Sequence, residues 1–448
     1  MEKKIIEEGA RQVVQTLREN GFIAYYAGGC VRDMLMQRAP RDYDIASDAL
    51  ADEVIALFDR CHEIGKAFGV VQVMIGDEGY DVATFRQDLD YEDGRHPSAI
   101  APSTPEEDAH RRDFTINGMF YDPIAEELID FVGGREDLDR KMIRAIGDPS
   151  LRFLEDHLRM LRAVRFAMTL GYEIETTTWQ AIAEHAGKIS QISVERISQE
   201  FSRILLESIQ PGDALELLRQ SGLLEHFMPE LLPMVGCEQP PQFHPEGDVW
   251  VHTRIMLNMV SVERRTPELM YGILFHDIGK PSTYRIGPGA DGVNRIRFNG
   301  HDGVGTKMAD AIMRRLKFSN DVREGVLTLV AQHMKFMAVT QMKESTLRKF
   351  AGGGHFVDEL ELHRVDCASS HGLLGNYVFM QELLEKYANE PVLPKPLLGG
   401  KDIMTLGVAS GPEVGRWKQA AFDLQLEDGE KTREDLLDAV KRAMEEEG

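Results

Sequence analysis

The sequence predicts an α+β protein, a small α/β head followed by an all-α remainder, and three observations carry that expectation. β-rich runs cluster before residue 149. After Pro149 apolar residues recur at helical spacing. Pro- and Gly-rich breaks, GCEQPPQFHPEG at Gly236–Gly247 and LPKPLLGGKDIMTLG near the C-terminus, then divide the helical part. The expected division is a head over 1–148, a helical neck and body over 149–240, a third domain over 241–390 and a helical tail over 391–448.

Residues 1–20 read as an amphipathic helix, and Phe22–Ala27 as a short buried strand ending at a glycine pair. Tyr43–Ala46 reads as a second strand and Ala51–Phe58 as a helix. Val70–Ile75 and Tyr80–Phe85 are β-rich runs either side of the turn Gly76–Gly79. Gln87–His110 is polar, contains Pro97, Pro102 and Pro105, and reads as a mobile loop of the kind that often serves as a lid. Leu151–Leu170 is predicted as one helix, followed by helices over Thr177–Ala186, Ser193–Glu207 and Ala214–Ser221, then over most of 251–263 and 303–316. A polar stretch, Gly287–Gly300, interrupts the later helices.

At 448 residues with 43% hydrophobic and 28% charged content, the chain has the composition of an ordinary soluble protein of more than one domain. It has no long uncharged apolar run, so no membrane span is expected, and MEKKIIEEGARQVV lacks the apolar core of a signal peptide. Cys30, Cys61, Cys237 and Cys367 lie far apart without a C-x-x-C pattern, which points to a reducing cytoplasm and away from a disulfide framework. The net charge of −23 opposes a nonspecific nucleic-acid coat. RNA binding would rest on local cations such as Arg111-Arg112, the Arg159/Arg162/Arg165 series and Arg314-Arg315-Leu316-Lys317.

The chemistry concentrates in GGCVRDMLMQRAPRDYD, Gly28–Asp44. Gly28 and Gly29, without Cβ atoms, let backbone N–H groups approach a polyphosphate. Arg32 adds a forked donor for phosphate oxygens. Asp42 and Asp44 flank Tyr43, so on a strand both carboxylates share one face. Hard oxygen ligands of that kind suit Mg²⁺, which binds carboxylates together with substrate phosphates. The ordered set describes nucleotidyl transfer from a nucleoside triphosphate.

RRDFTIN, Arg111–Asn117, could bring positive charge to that triphosphate, or simply neutralise Glu106, Glu107 and Asp108. In LRFLEDHLRMLRAVRFAMTL, Asp156 and Arg159 are spaced as helix-surface neighbours. A carboxylate accepts from the exocyclic amino group of cytosine or adenine, and an arginine donates to the adjoining ring acceptor. Such a pair would select C and A and reject U and G; a salt-bridged helix face is the alternative. Arg162 and Arg165 drift around the helix and would reach phosphates or scaffold.

On GGCVRD, RDYD, RRDFTIN, EDHLRMLRAVRF and ERISQEFSRIL, taken in order, the chain resembles the class II tRNA nucleotidyltransferase and poly(A) polymerase family. The resemblance implies a nucleotidyltransferase head with Mg²⁺ on Asp42 and Asp44. Gly29, Arg32 and Arg112 would hold the nucleotide, with Asp156, Arg159, Arg162 and Arg165 on the recognition motif. CTP and ATP would be the donors and the tRNA 3′ end the acceptor. The full-length Gln87–His110 segment favours addition of the terminal A, alone or after CC.

The later half holds His252, His276-Asp277 in LFHDIGK, and Asp366 in HRVDCASSHG. Histidine and aspartate ligands in this order can converge on a divalent cation; Asp277 can bridge to a second, with His301 and His333 completing a two-metal site. This arrangement resembles the HD superfamily of metal-dependent phosphohydrolases, and so implies a transition metal or Mg²⁺ and a phosphatase or phosphodiesterase activity. The readings that compete with CCA addition are an A-adding enzyme or poly(A) polymerase using the same site, and an HD phosphohydrolase whose head only senses nucleotides.

Overall fold

The computed structural model describes residues 2–65, 69–91, 97–288, 292–389, 391–427 and 431–447. The chain divides into two compact units, the first ending at Leu232 and the second starting at Pro233.

In the first unit, helix α1 (Glu2–Glu19) buries Ala10, Val13, Val14 and Leu17, the stripe that a 3.6-residue period predicts. Strands β1 (Ala24–Ala27), β2 (Ile45–Ser47), β3 (Cys61–Gly65), β4 (Val70–Ile75), β5 (Glu78–Thr84), β8 (Phe120–Asp122) and β9 (Glu127–Ile129) form a seven-stranded sheet in the order β3-β4-β5-β2-β1-β8-β9. Only the β2–β5 pair in it is parallel. Helices α2 (Gly29–Leu35) and α3 (Ala51–Leu57) follow β1 and β2.

The segment expected to be a loop is ordered into elements. β6 (Arg86–Tyr91) pairs antiparallel with β7 (Pro97–Pro102), and helix α4 (Pro105–His110) follows; residues 92–96 lie outside the described part. The helix start was written in the sequence. Thr104 accepts from Glu107 N while Glu107 accepts from Thr104 N, a capping box with Pro105 in the first turn.

Past helix α5 (Gly134–Asp139) comes the helical stretch expected as the neck, with a small parallel pair, β10 (Met142–Ile143) and β11 (Glu173–Ile174), beside it. The single helix expected over 151–170 is two: α6 (Pro149–Glu155) and α7 (Arg159–Leu170). Asp156 sits between them with φ −142° and ψ 105°, and its Oδ1 accepts from Leu158 N at 3.1 Å. That side-chain bond competes with the helical ladder and breaks it. Helices α8 (Thr176–His185), α9 (Val194–Glu207), α10 (Pro211–Gln220) and α11 (Leu223–Phe227) complete the unit.

The second unit contains α12 (Val249–Met259), α13 (Pro267–Phe275), α14 (Lys280–Thr283), α15 (His301–Arg315), α16 (Asn320–Gln332), α17 (Glu344–Ala351), α18 (Phe356–Ser369) and α19 (Gly375–Lys386). The polar stretch before α15 is part of a hairpin, β12 (Arg285–Pro288) and β13 (Asn294–Arg297), where no strand was expected. Helices α20 (Gly400–Thr405), α21 (Pro412–Glu427) and α22 (Arg433–Glu447) close an apolar cluster of Leu398, Ile403, Trp417, Leu436 and Val440. No helix among the described residues is long and apolar enough to cross a membrane.

Candidate active site and metal centre

In the head, β1 ends at Gly28, whose φ of 73° suits a residue without Cβ. A Cβ there would lie 3.1 Å from Arg112 Nη1, so the glycine also leaves room for that guanidinium. Asn117 joins the two nucleotide-side arginines. Its Oδ1 accepts from Arg32 Nη1 at 2.8 Å and its backbone carbonyl from Arg112 Nη1 at 3.4 Å. Arg32 also donates to Asp33 Oδ1 at 2.7 and 2.9 Å.

Both readings of Arg111-Arg112 hold in part. Each arginine donates to the buried Asp108 carboxylate, Arg111 at 2.6 Å and Arg112 at 3.0 Å, yet Arg112 still reaches the glycine turn. Burial alone would raise the Asp108 pKa; Arg112 and Arg111 outweigh it and hold the group below its usual range.

Asp42 and Asp44 lie just before β2 rather than on it, a correction to the predicted strand over 43–46. The alternation survives: Tyr43 is buried, edge-on to Tyr26 at 4.9 Å, and the two carboxylates face out. The parallel β2–β5 register pairs Ile45 with Val82, which places Asp81 beside Asp44. Asp44 reaches solvent, but the surrounding protein partly desolvates it. That desolvation, then Asp42 and Asp81, push it up to about 6, while Arg112 opposes the rise. A cluster of acids that resists ionisation is a site that gains from a cation.

The neck residues are not arranged as helix-surface neighbours. Asp156 Oδ2 pairs with Arg196 at 3.0 Å, whereas Arg159 donates to Glu155 at 2.5 Å and to the carbonyls of Arg152 and Arg111 at 3.0 and 3.2 Å. Arg162 donates twice to the buried Asp113, at 2.5 and 2.8 Å, and Asp113 in turn accepts from Asn117 Nδ2 at 3.4 Å. A continuous chain Arg162–Asp113–Asn117–Arg32 therefore links the neck to the glycine turn.

Of the two roles open to Arg165, phosphate contact or scaffold, its surroundings favour scaffold. Its guanidinium, 4% exposed, is 2.5 Å from Glu200 of α9 and lies against the Phe166 ring at 4.1 Å. Arg165→Ala should destabilise the protein by about 3 kcal/mol in denaturant melts, because it strands a buried carboxylate. Arg165→Met with Glu200→Leu should recover most of that loss.

In the second unit, His252, His276 and Asp366 present ligand atoms within 4.8 Å of one another, and so do Asp277, His301 and His333. Three of the histidines are oriented alike. Nδ1 lies 2.7 Å from the Ile273 carbonyl in His276, 2.8 Å from that of Phe298 in His301, and 2.7 Å from that of Val330 in His333. A carbonyl only accepts, so Nδ1 carries the proton and the Nε2 lone pair faces the centre.

His301 and His333 oppose these Nε2 atoms at 3.0 Å. Asp277 joins the two groups: Oδ2 is 3.1 Å from His276 Nε2 and Oδ1 is 3.4 Å from His301 Nε2. His252 Nε2 and His276 Nε2 are buried without a hydrogen bond of acceptable geometry, whereas Asp277 Oδ2 lies 2.6 Å from the Lys280 ammonium. Orphaned donors and acceptors aimed at one point fit divalent cations. Electrostatics agree. Burial opposes charge on His252, but Asp366 and Glu246 outweigh it and hold His252 up at about 9. Burial, then His276, push His333 down to about 4, so its lone pair is free at neutral pH.

Two family models match the chain: the poly A polymerase head domain over residues 24–144, and the probable RNA and SrmB-binding site of polymerase A over 171–234. A CCA-adding enzyme of Bacillus licheniformis is 42% identical over 393 residues, 82% of this chain and 94% of the relative. The chain belongs to the CCA-adding enzyme family. A Geobacillus CCA-adding enzyme is 44% identical over a stretch spanning 52% of its own length, about half of that relative. The crystal structure of Bacillus stearothermophilus CCA-adding enzyme in complex with CTP matches with a TM-score of 0.71 at 24% identity, covering 98% of each chain, a likeness of fold. Both family models end before the histidine and aspartate groups of the second unit begin.

Three residues escaped the sequence reading of this CCA-adding family member. Asp81 needed the β2–β5 register, and Asn117 needed the packing of RRDFTIN against the glycine turn. Glu246 needed the fold of HPEGDVWVH, where its Oε1 lies 2.7 Å from His252 Nδ1 and 2.9 Å from His244 Nδ1. It serves His252 as the backbone carbonyls serve the other histidines. Glu246→Gln should weaken divalent-metal affinity about 10- to 100-fold by isothermal titration, the usual effect of losing a ligand's outer partner.

Proposed function

We propose that this chain is a template-independent nucleotidyltransferase that builds or repairs the 3′-terminal CCA of tRNA, with CTP and ATP as donors. The observation that carries this reading is the convergence of Gly28, Gly29, Arg32 and Arg112 beside Asp42, Asp44 and Asp81, in a member of the CCA-adding family. Asp42 and Asp44 would hold Mg²⁺. The metal would lower the charge barrier to attack by the tRNA 3′-hydroxyl and to departure of pyrophosphate. Arg32 and Arg112 bind and orient the triphosphate. Arg159 donates to the Arg111 carbonyl, one residue before Arg112 of the glycine-turn network, which supports a role in reading the base edge for Arg159 together with Asp156. Such a role requires Asp156 to exchange Arg196 for the base.

The test is to offer tRNA truncated by one, two or three 3′ nucleotides with CTP, ATP or both, and to sequence the products. Restored CCA ends support the reading. Addition of A alone indicates an A-adding enzyme, and an open-ended tail indicates a poly(A) polymerase.

A second activity is favoured by a separate observation, the paired ligand triads with their orphaned atoms. His252, His276, Asp366 and Asp277 would hold one divalent ion, and Asp277, His301 and His333 a second. Metal bound there would supply Lewis-acid activation of a phosphoester. Metal-dependent release of phosphate without nucleotide incorporation would instead support the phosphohydrolase with a sensing head.

A further inference from the structure

His157 stands inside the recognition motif, between Asp156 and Arg159, where α6 gives way to α7. It is 4% exposed, and its two ring nitrogens meet partners on different elements. Nδ1 lies 2.6 Å from the Phe153 carbonyl in the last turn of α6, and Nε2 lies 3.3 Å from Gln191 Oε1. Gln191 ends the short 3₁₀ helix Ala186–Gln191 that leads into α9. A carbonyl only accepts, so Nδ1 carries a proton. Gln191 can turn either end of its amide to Nε2, and so matches that nitrogen with or without a second proton.

The bond to Phe153 has a local cause. In an unbroken helix that carbonyl would accept from the backbone N–H four residues on, which belongs to His157 itself. The chain leaves the helix at Asp156, and the carbonyls of a last turn then need other donors. The His157 imidazole supplies one. Arg159 supplies another, donating from Nη1 to the Arg152 carbonyl at 3.0 Å. Asp156 is anchored on the far side, to Arg196 of α9 at 3.0 Å. An apolar side chain could fill the same space; what the imidazole adds is two directed bonds that fix the break.

We propose that His157 is a positioning residue for the base-edge pair. By clamping the end of α6 to Gln191 it sets the distance and angle between the Asp156 carboxylate and the Arg159 guanidinium. On the base-edge reading of that pair, which this assignment rests on and deepens, the carboxylate accepts from the amino group while the guanidinium donates to the adjoining ring acceptor. Both bonds form together only at one spacing. A loosened break therefore costs discrimination of C from U and of A from G, beyond any cost to overall rate.

The test uses full-length protein with Mg²⁺ and tRNA truncated by three 3′ nucleotides, and compares kcat/KM for CTP with that for UTP. His157→Ala should lower the CTP/UTP ratio about tenfold, a partial form of the roughly 10²-fold that a misplacement of about 1 Å can cost. A residue that only stabilised the fold would lower the melting temperature and both rates together, leaving the ratio unchanged. His157→Asn, whose amide N–H takes the place of Nδ1–H, should restore most of the ratio. Gln191→Leu, outside the motif, should lower the ratio about threefold, and it reads the other arm of the clamp should His157→Ala fail to fold. An unchanged ratio in Gln191→Leu, or in folded His157→Ala, overturns the clamp. Arg159→Ala separates that failure from failure of the base-edge reading. If its ratio collapses while those of the His157 and Gln191 variants hold, base reading stands and only the clamp falls. If its ratio holds as well, the base-edge reading falls and takes the clamp with it.

Discussion

Asp42→Ala should lower incorporation of both CTP and ATP by roughly 10³-fold or more while the protein melts as a folded species. Removing a metal-holding carboxylate forfeits several kcal/mol of transition-state stabilisation, and each 1.4 kcal/mol is about tenfold in rate. Single-nucleotide extension of a truncated tRNA reads the rate, and incorporation near the wild-type level sinks the assignment. Asp44→Asn should remove activity to a similar extent but raise the melting temperature. Asp44 titrates near 6 in the fold against an ordinary 3.8, so the folded state holds its proton more tightly than the unfolded chain. The fold bears no penalty well below pH 3.8, where the carboxyl is protonated in both states. The penalty grows between about pH 4 and 6 and is complete above 6. Asp44→Asn should therefore be more stable than wild type at pH 7.5, by up to about 1 kcal/mol after solvent screening, with the difference vanishing well below pH 3.8. Mg²⁺ should raise the melting temperature of the wild type more than that of Asp42→Ala, which keeps only the ligand groups of the second unit.

The parts of the fold that were legible in the sequence were those written in local periodicity. Helix α1, strands β1, β4 and β5, and the helices of the neck lie close to where apolar spacing placed them. The glycine pair and the Asp42–Tyr43–Asp44 alternation were legible because a turn and a two-residue period are local properties. Two misreadings came from other local signals left unweighed. Thr104-Pro105-Glu106-Glu107 announced a helix inside the supposed loop, and Asn294-Arg295-Ile296-Arg297 alternated like the strand it is. The break at Asp156 has a different cause. Nothing in the apolar stripe interrupts it; the competing bond from the Asp156 side chain to Leu158 N does, and Arg196, forty residues on, holds that side chain in place.

What the sequence could not supply is pairing across long separations. Arg162 and Arg165 look alike on the α7 stripe, yet one bonds to Asp113 beside the glycine turn and the other is sealed against Glu200. Asp81 carries no motif of its own and becomes part of the acidic cluster only through the β2–β5 register. The role of Glu246 was likewise invisible. A carboxylate two residues past a histidine is unremarkable until the turn before α12 brings it to His252 Nδ1.

Asp277 and His333 distinguish a true two-ion centre from two independent sites. Asp277 presents one oxygen to His276 and the other to His301, so it belongs to both ligand groups, whereas His333 belongs to one. Asp277→Ala should lose both ions and His333→Ala only one. Metal analysis after dialysis should read about two ions per chain in the wild type, about one in His333→Ala and close to none in Asp277→Ala. Phosphoester hydrolysis should fall roughly 10³-fold in Asp277→Ala and in His276→Ala. CCA addition should stay within about twofold in both, because the carboxylates of the head lie in the other compact unit. Metal affinity should weaken as pH falls, since His252 must shed the proton that Asp366 and Glu246 help it hold before Nε2 can bind an ion. One ion retained in Asp277→Ala would show that the carboxylate does not bridge. A parallel fall in addition would show that the two activities draw on one site.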